Sequence, residues 1–325
     1  MPLRRIVILL PLALAACQGN QSVLNPAGKD ASILADLFWV LLAGAIVLWV
    51  LINGLFFYVT RIRPRAMSRR LAETLVIGGG IIFPVLLLAG LLSYSLSIMP
   101  DQREAGSGLT IRVTGEQWWW RVEYLTEDGE SPIVAANEIR LPLGERTEIK
   151  LGADKVIHSF WIPALAGKMD MFPGRETRLA LEPEREGIYR GQCAEFCGES
   201  HALMAFQAVV MPADAFAAWL ERERGPAEQP AGDSARRGKR VFMENGCGAC
   251  HTIRGTQAAG GVGPDLTHVG SRETLGAGTL PSDAASFSSW VRHARAIKPG
   301  AKMPEYTQLT TAELEALGSY LAGLK

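Results

Sequence analysis

A chain of 325 residues with 33 Lys and Arg against 33 Asp and Glu has room for a membrane anchor and two globular domains. Its balanced charge, with no basic patch interleaved with aromatics, excludes a nucleic-acid-binding protein. The neutral total hides segregation: residues 1–100 hold two long apolar runs, and nearly all acidic residues lie beyond them.

At the N-terminus, Arg4 and Arg5 precede an apolar stretch from Ile6 to Ala16, the pattern of an export signal. Leu14-Ala15-Ala16-Cys17 resembles a lipobox, where a bacterial lipoprotein is cleaved and its cysteine acylated. The alternative is an ordinary signal peptide that contains Cys17 by chance. On the lipoprotein reading, residues 1–16 are the signal and residues 17–100 carry the lipidated Cys17 and a transmembrane hairpin. Residues 37–59 and 75–99 each exceed the about 20 residues needed to cross a bilayer core. Arg61, Arg63, Arg65, Arg69 and Arg70 lie between them and place that loop in the cytoplasm. The N-terminus and everything after Pro100 are therefore expected on the periplasmic or outer face of a bacterial plasma membrane.

Residues 101–224 alternate apolar and polar side chains in short stretches broken by Gly and Pro, as in Leu109-Thr110-Ile111-Arg112-Val113. This predicts an all-β sandwich or barrel. Pro212 then opens a predicted helix over 213–224, with Phe216, Trp219 and Leu220 on one face. Residues 225–235, rich in Pro, Gly and polar side chains, read as a flexible linker. Residues 236–325 read as a mostly helical module, with helices over 236–245 and 311–324 joined by Gly-rich loops.

The five cysteines are Cys17, Cys193, Cys197, Cys247 and Cys250. The last four form two close pairs, each with a histidine nearby, which favours cofactor attachment over disulfides. Cys193, Cys197, His201 and Met204 fall within twelve residues, and His158 lies upstream. Thiolate, thioether and imidazole together select copper or zinc over hard cations. The second cysteine points to two metals bridged by two sulfurs; zinc is the alternative, although it rarely recruits methionine.

These residues resemble the copper A motif of cytochrome c oxidase subunit II, Cys-x-Glu-x-Cys-Gly-x-x-His-x-x-Met, preceded by His158-Ser159-Phe160-Trp161-Ile162-Pro163. The resemblance covers the helix hairpin and the β domain, and implies a cupredoxin-like all-β Greek-key fold. It implies that Cys193 and Cys197 bridge both coppers, that His158 and Met204 complete one, and that His201 and the Glu195 carbonyl complete the other. The Glu195 side chain would share a magnesium ion with subunit I. Gly115-Glu116-Gln117-Trp118-Trp119-Trp120 is similar to the family segment whose first tryptophan is the electron entry, here Trp118; simple packing is the competing reading. Glu73 corresponds to a glutamate at the mouth of a proton pathway, with an interfacial charge as the alternative.

Cys247-Gly248-Ala249-Cys250-His251 is a haem c attachment motif: two thioethers from the cysteines and a proximal iron ligand from His251. A zinc site would need a second ligand pair, which is lacking. The module resembles an all-α class I cytochrome c, in which Met303 would be the sixth ligand. Met243 is a helix core residue on this reading, and His268 and His293 are packing or surface histidines.

Residues 101–224 carry 14 Lys and Arg against 21 Asp and Glu, a net of −7; residues 233–325 carry 11 against 8, a net of +3. Opposite charges suit electrostatic docking of the two domains, or simply keep each soluble. Together the features resemble subunit II of a caa-type oxidase, a multidomain chain with a cytochrome c domain fused behind the copper A domain. The implied partners are oxidase subunits I and III, with an external cytochrome c or a cytochrome bc complex as donor. Electrons would pass through haem c and the dicopper centre to subunit I, where dioxygen is reduced and protons are pumped. A copper A nitric oxide reductase subunit and a free-standing electron-shuttle lipoprotein are the rivals; a quinol oxidase subunit is excluded by the complete ligand set.

Overall fold

In the computed structural model, residues 18–62, 67–106, 108–125 and 131–325 are described. Cys17, on which the lipidation reading rests, lies outside them, as do Arg63 and Arg65. Of these described residues, those within 33–104 form one unit, and those within 18–32 and 105–325 form the other.

The first helix, α1 (Lys29–Phe57), widens into a π turn over Tyr58–Ile62. It begins eight residues before the apolar run at 37–59, because Lys29, Asp30 and Asp36 are compatible with a helix but invisible to a hydropathy reading. The second helix runs through α2 (Arg69–Thr74), a π segment (Leu75–Ile82) and α3 (Phe83–Arg103). Ser68 caps its start by accepting from the Leu71 amide. Gly78, Gly79 and Gly80 sit in the π segment, where missing side chains weaken the hold of the regular 3.6-residue turn. Both helices are long and apolar enough to cross a membrane. Trp49, Phe56, Leu86 and Leu88 on their surfaces are exposed, as lipid-facing side chains would be.

In the other unit, the predicted alternation becomes ten strands: β1 (Thr110–Glu116), β2 (Trp119–Leu125), β3 (Ile133–Ala136), β4 (Glu138–Pro142), β5 (Thr147–Ala153), β6 (His158–Trp161), β7 (Met169–Met171), β8 (Thr177–Leu181), β9 (Gly187–Cys193) and β10 (Ala205–Met211). One sheet has the order β3-β2-β1-β5-β8, the other β4-β10-β9-β6-β7. β1 runs parallel to β5 and β10 parallel to β4; the remaining pairs are antiparallel. Every second residue of β1 and β2 is buried, the period expected of strands with one face on a core. That core joins Ile111, Val113 and Leu151 of one sheet to Ile139, Phe160 and Phe206 of the other. The segment before α1 is fastened to this sandwich. The Ala27 amide donates to the Ala164 carbonyl at 2.7 Å, and Lys29 pairs with Glu182 at 3.0 Å.

Helix α4 (Ala213–Arg224) follows with the predicted bounds. The haem-type module packs α5 (Gly232–Glu244) against α7 (Thr311–Ala322), with the Phe242 and Tyr320 rings edge-to-face at 6.1 Å. Between them lie the short pair β11 (Thr274–Leu275) and β12 (Leu280–Pro281) and a further helix, α6 (Ala284–Ile297), which the sequence reading missed. The signal was present: Asp283 caps α6 by accepting from the Ser286 amide, and Phe287, Val291 and Ala294 recur at helical steps on its buried face. The linker also departs from expectation. Helix α5 starts at Gly232, and residues 225–227 are pinned: the Arg254 guanidinium donates to the Gly225 carbonyl at 3.2 Å, and the Ala227 amide to the Arg254 carbonyl at 3.0 Å.

Candidate functional site

The β9–β10 hairpin explains how twelve residues can present so many metal donors. Cys193 ends β9 and Met204 immediately precedes β10, and their backbones are tied by a 2.9 Å bond from the Cys193 amide to the Met204 carbonyl. The chain between them folds into a loop at the sandwich rim, with a 3-10 turn at His201–Leu203. β6 pairs with β9 through Phe160 and Cys193, which delivers His158, at the head of β6, to the same place.

Cys193 Sγ and Cys197 Sγ lie 3.8 Å apart. His158 Nδ1 is 3.7 Å from the first sulfur, and His201 Nδ1 is 3.6 Å from the second. Met204 Sδ is 3.8 Å from Cys197 Sγ, and the Glu195 carbonyl oxygen is 3.2 Å from Cys193 Sγ. All six expected donors therefore converge. Thiolate bonds to first-row metals are about 2.3 Å long, so sulfurs 3.8 Å apart can share a metal on either side of the line joining them. With imidazole and thioether added, the donor chemistry suits copper. The contact between the two sulfurs pushes Cys193 down to about 3, against burial, and pushes Cys197 up. A metal that takes both sulfurs as thiolates must displace their protons.

The surroundings hold this geometry. His158, Cys193, Cys197 and Met204 are all buried. Trp120, Phe160 and Phe206 form an aromatic cluster beneath them, with Trp120 5.0 Å from Phe206 and 6.2 Å from the His158 ring. Gly115 is required here, since a Cβ at that position would stand 2.8 Å from the His158 ring. Glu195 and Phe196 are exposed on the outer side of the loop. Glu73, in the other unit, pairs with Arg69 at 2.8 Å, so its carboxylate is engaged one helical turn away.

In the helical module, Cys247, Cys250, His251 and Met303 all line one cavity of about 450 Å³, with Phe242 and Leu266 among its apolar walls. The His251 Nδ1–H donates to the Pro264 carbonyl at 2.8 Å, which leaves Nε2 as the ligand atom. Burial pushes the His251 imidazole below its ordinary range and keeps the ring neutral, as iron ligation requires. These residues fit a haem. Met243 packs at the edge of the module's core and is not part of this lining. His268 is buried, with Nε2 bonded to the Gly225 carbonyl at 3.2 Å, and His293 is exposed on α6.

The cavity is closed on one side by the sandwich itself. Trp118 lines it, and the Trp118 Nε1–H donates to the Cys197 carbonyl at 3.0 Å. Gln117 reaches the same carbonyl at 3.1 Å. The packing reading and the electron-entry reading of Trp118 thus concern one position between the two sites.

Several residues at this seam were not anticipated. Lys298, almost fully buried, donates through Nζ to the Leu203 carbonyl at 3.0 Å and to the Gly276 carbonyl at 2.9 Å. Burial pushes its ammonium down to about 7, partly opposed by Cys197. The Ser200 hydroxyl donates to the Pro299 carbonyl at 2.6 Å. Arg140 donates to the Ser271 carbonyl at 2.9 Å, and Glu138 accepts from the Glu273 amide at 2.7 Å. Arg254 joins Asp265 at 3.0 Å and also donates to the Glu223 carbonyl. The Ser200 signal was hidden inside the copper motif, where its neighbours drew the attention; nothing local distinguishes Lys298 from any other lysine.

Comparison with known proteins agrees. Residues 125–211 match the family model described as cytochrome c oxidase subunit II, periplasmic domain, and residues 235–325 match that of cytochrome c. A cytochrome c oxidase subunit 2 of Bacillus subtilis is 30% identical over 98% of this chain and 96% of its own length. That of Alkalihalophilus pseudofirmus is 38% identical over 70% of this chain, which spans 64% of that protein. The crystal structure of the periplasmic domain of subunit II of cytochrome oxidase from Bradyrhizobium japonicum is similar over 37% of this chain and 96% of its own, at 29% identity and a TM-score of 0.34. With two apolar helices, a β domain gathering a dimetal donor set and a helical module built around a haem-type cavity, the chain belongs to the cytochrome c oxidase subunit 2 family, in the form that carries a cytochrome c domain.

Proposed function

We propose that this chain is the electron-transfer subunit of a proton-translocating haem–copper oxidase. It is anchored by its two helices in a bacterial plasma membrane, with the domains after residue 100 on the outer face. The observation that carries the reading is the convergence of six donors on two sulfurs 3.8 Å apart, at the end of a rigid sandwich. When bound, a dicopper centre and a covalent haem c supply the one-electron carriers between an external donor and the oxidase's catalytic subunit.

Cys193 and Cys197 would hold the dicopper centre as thiolates, with His158, Met204, His201 and the Glu195 carbonyl completing its donor set. Donors fixed by strands and a tight hairpin keep one geometry across oxidation states, which limits reorganisation on electron transfer. Cys247 and Cys250 would form the thioethers to a haem, and His251, oriented by its bond to Pro264, and Met303 would be its iron ligands. Trp118 bridges the two sites by its bond to the Cys197 carbonyl. The exposed Glu195 side chain faces subunit I and helps hold a magnesium ion there, and Glu73 serves the entrance of a proton path. Subunit III completes the membrane complex, and a cytochrome c or a cytochrome bc complex donates to the haem. Cys17, if acylated, adds a weak second anchor to the helices.

The purified complex should contain two coppers and one covalent haem for each copy of this chain, measured by metal analysis and by haem staining under denaturing conditions. Cys197→Ser should abolish the dicopper near-infrared absorption and leave the haem spectrum intact. An unchanged near-infrared band with full copper content would overturn the bridging assignment.

A further inference from the structure

The two ligand-bearing loops of this chain touch each other. The loop 298–303 of the helical module, which ends on Met303, lies against the loop 197–204 of the sandwich, which carries Cys197, His201 and Met204. Lys298 is 3% exposed, and its ammonium spans the seam: one acceptor, the Leu203 carbonyl, belongs to the sandwich and the other, the Gly276 carbonyl, to the helical module. Ser200 is 1% exposed and crosses in the other direction, donating to the Pro299 carbonyl at 2.6 Å. Between them, Gly300 takes a left-handed φ of 74°, and a Cβ there would meet the Trp118 ring at 2.6 Å and the Glu199 carboxylate at 2.7 Å. Two buried polar side chains and a glycine-dependent close approach are the marks of a built contact, not of two surfaces that meet by chance.

We infer that Lys298 and Ser200 are positioning residues that clamp the methionine-bearing loop of the haem domain onto the copper-ligand loop, so that the haem domain is a docked internal donor and not a tethered one. The inference rests on the reading of Met303 and Cys193–Met204 as haem and copper ligands. The physical argument is direct. Each bond ends beside a copper ligand in sequence, the donor Ser200 next to His201 and Leu203, the acceptor of Lys298, next to Met204, so the clamp acts where a displacement would change the separation of the two centres. A hydrogen bond from a buried ammonium is among the stronger contacts a protein makes, and truncating it takes this partner from the Leu203 carbonyl, while the Gly276 carbonyl keeps its bond from the Thr279 hydroxyl at 2.7 Å. Neither bond depends on the linker, whose residues Glu228 and Gln229 are exposed. Cutting there should not release the haem domain.

The test uses the detergent-solubilised oxidase with a protease site placed between Glu228 and Gln229 of the full chain. After cleavage, sedimentation at low and high salt reads whether the haem domain stays with the complex, while near-infrared and visible spectra read the two metal centres. With Lys298 and Ser200 intact, the cleaved haem domain should remain bound at both salt concentrations. Lys298→Met should weaken its retention at least tenfold, about 1.4 kcal/mol, with both optical signatures unchanged; Ser200→Ala should act in the same direction, and Lys298→Arg, which keeps donors, should restore much of the retention. Release of the haem domain from the cleaved but otherwise unaltered chain, or tight retention by both Lys298→Met and Ser200→Ala, would overturn the clamp. Loss of an optical signature in the unaltered chain would instead count against the ligand reading, so the two failures are distinguishable.

Discussion

Cys197 holds five contacts at once: its sulfur meets Cys193, His201 and Met204, and its carbonyl accepts from Trp118 and Gln117. A residue so placed links the metal donors to the groups that line the haem cavity. Met303, another lining residue of that cavity, has a simpler role. Met303 is half-buried, and on the proposed reading the covalent attachment of the haem falls to Cys247 and Cys250. Met303→Leu should therefore leave the haem attached, lower its reduction potential, since thioether ligation raises it, and remove the sulfur-to-iron charge-transfer band. Redox titration and the absorption spectrum of the oxidised protein check both; a persistent band would move the ligand to another side chain. The proposed ligands stand out in the sequence because each is one residue in a motif whose spacing suits a bound metal or haem, and the fold brings them together. Lys298, Arg254 and Glu223 were not legible: their partners are 11 to 95 residues away, and distance along the chain conceals a hydrogen bond between folded surfaces.

Elements were legible where their pattern is local. The alternation in β1 and β2 marked a half-buried strand, and Pro212 marked the start of α4. The bounds that slipped, at α1 and α5, are ends where polar residues continue a helix beyond its apolar stretch. Helix α6 was passed over because its buried face is spread across Ser- and Arg-rich sequence. Helix α7 shows what a well-marked start does for stability. The Thr310 side chain accepts from the Glu313 amide at 3.3 Å, and Glu313 returns to the Thr310 amide at 2.8 Å, a reciprocal capping box. Thr310→Ala should cost about 1 kcal/mol, read as a lowered midpoint in chemical denaturation with the haem spectrum unchanged at low denaturant. An unaltered midpoint would mean that packing against α5 alone sets the stability of this helix.

At the scale of the whole extracytoplasmic unit, the charges of the two domains meet in a buried network and not across a loose encounter surface. Glu223 is 6% exposed and Arg272 9%, with Arg254, Asp265 and Arg140 nearby. Burial raises the Glu223 carboxyl, while His268, Arg272, Arg254 and Arg140 draw it down. A contact of this kind couples the domains, so the unit should melt in a single calorimetric transition. Arg254→Ala leaves Asp265 buried without its partner, a loss of about 3–5 kcal/mol for a fully buried pair and less here, because the Arg254 side chain is 27% exposed. It should split the melt into two transitions; a single unshifted transition would show that the network contributes nothing.

The pinned junction at 225–227 also bears on how such a protein can be rearranged. Its domain border, read along the chain, falls in a Pro- and Gly-containing stretch that invites cutting and swapping. In space the border runs elsewhere, along the bonds from Arg254 to Glu223 and Gly225 and from Arg140 to Ser271. A cytochrome grafted from a relative at the sequence border would arrive without the complement to Glu138, Arg140 and Ser200. Chimaeras should therefore work only when these seam residues travel with the graft, and the two halves of this chain must diverge together, each substitution on one face answered on the other.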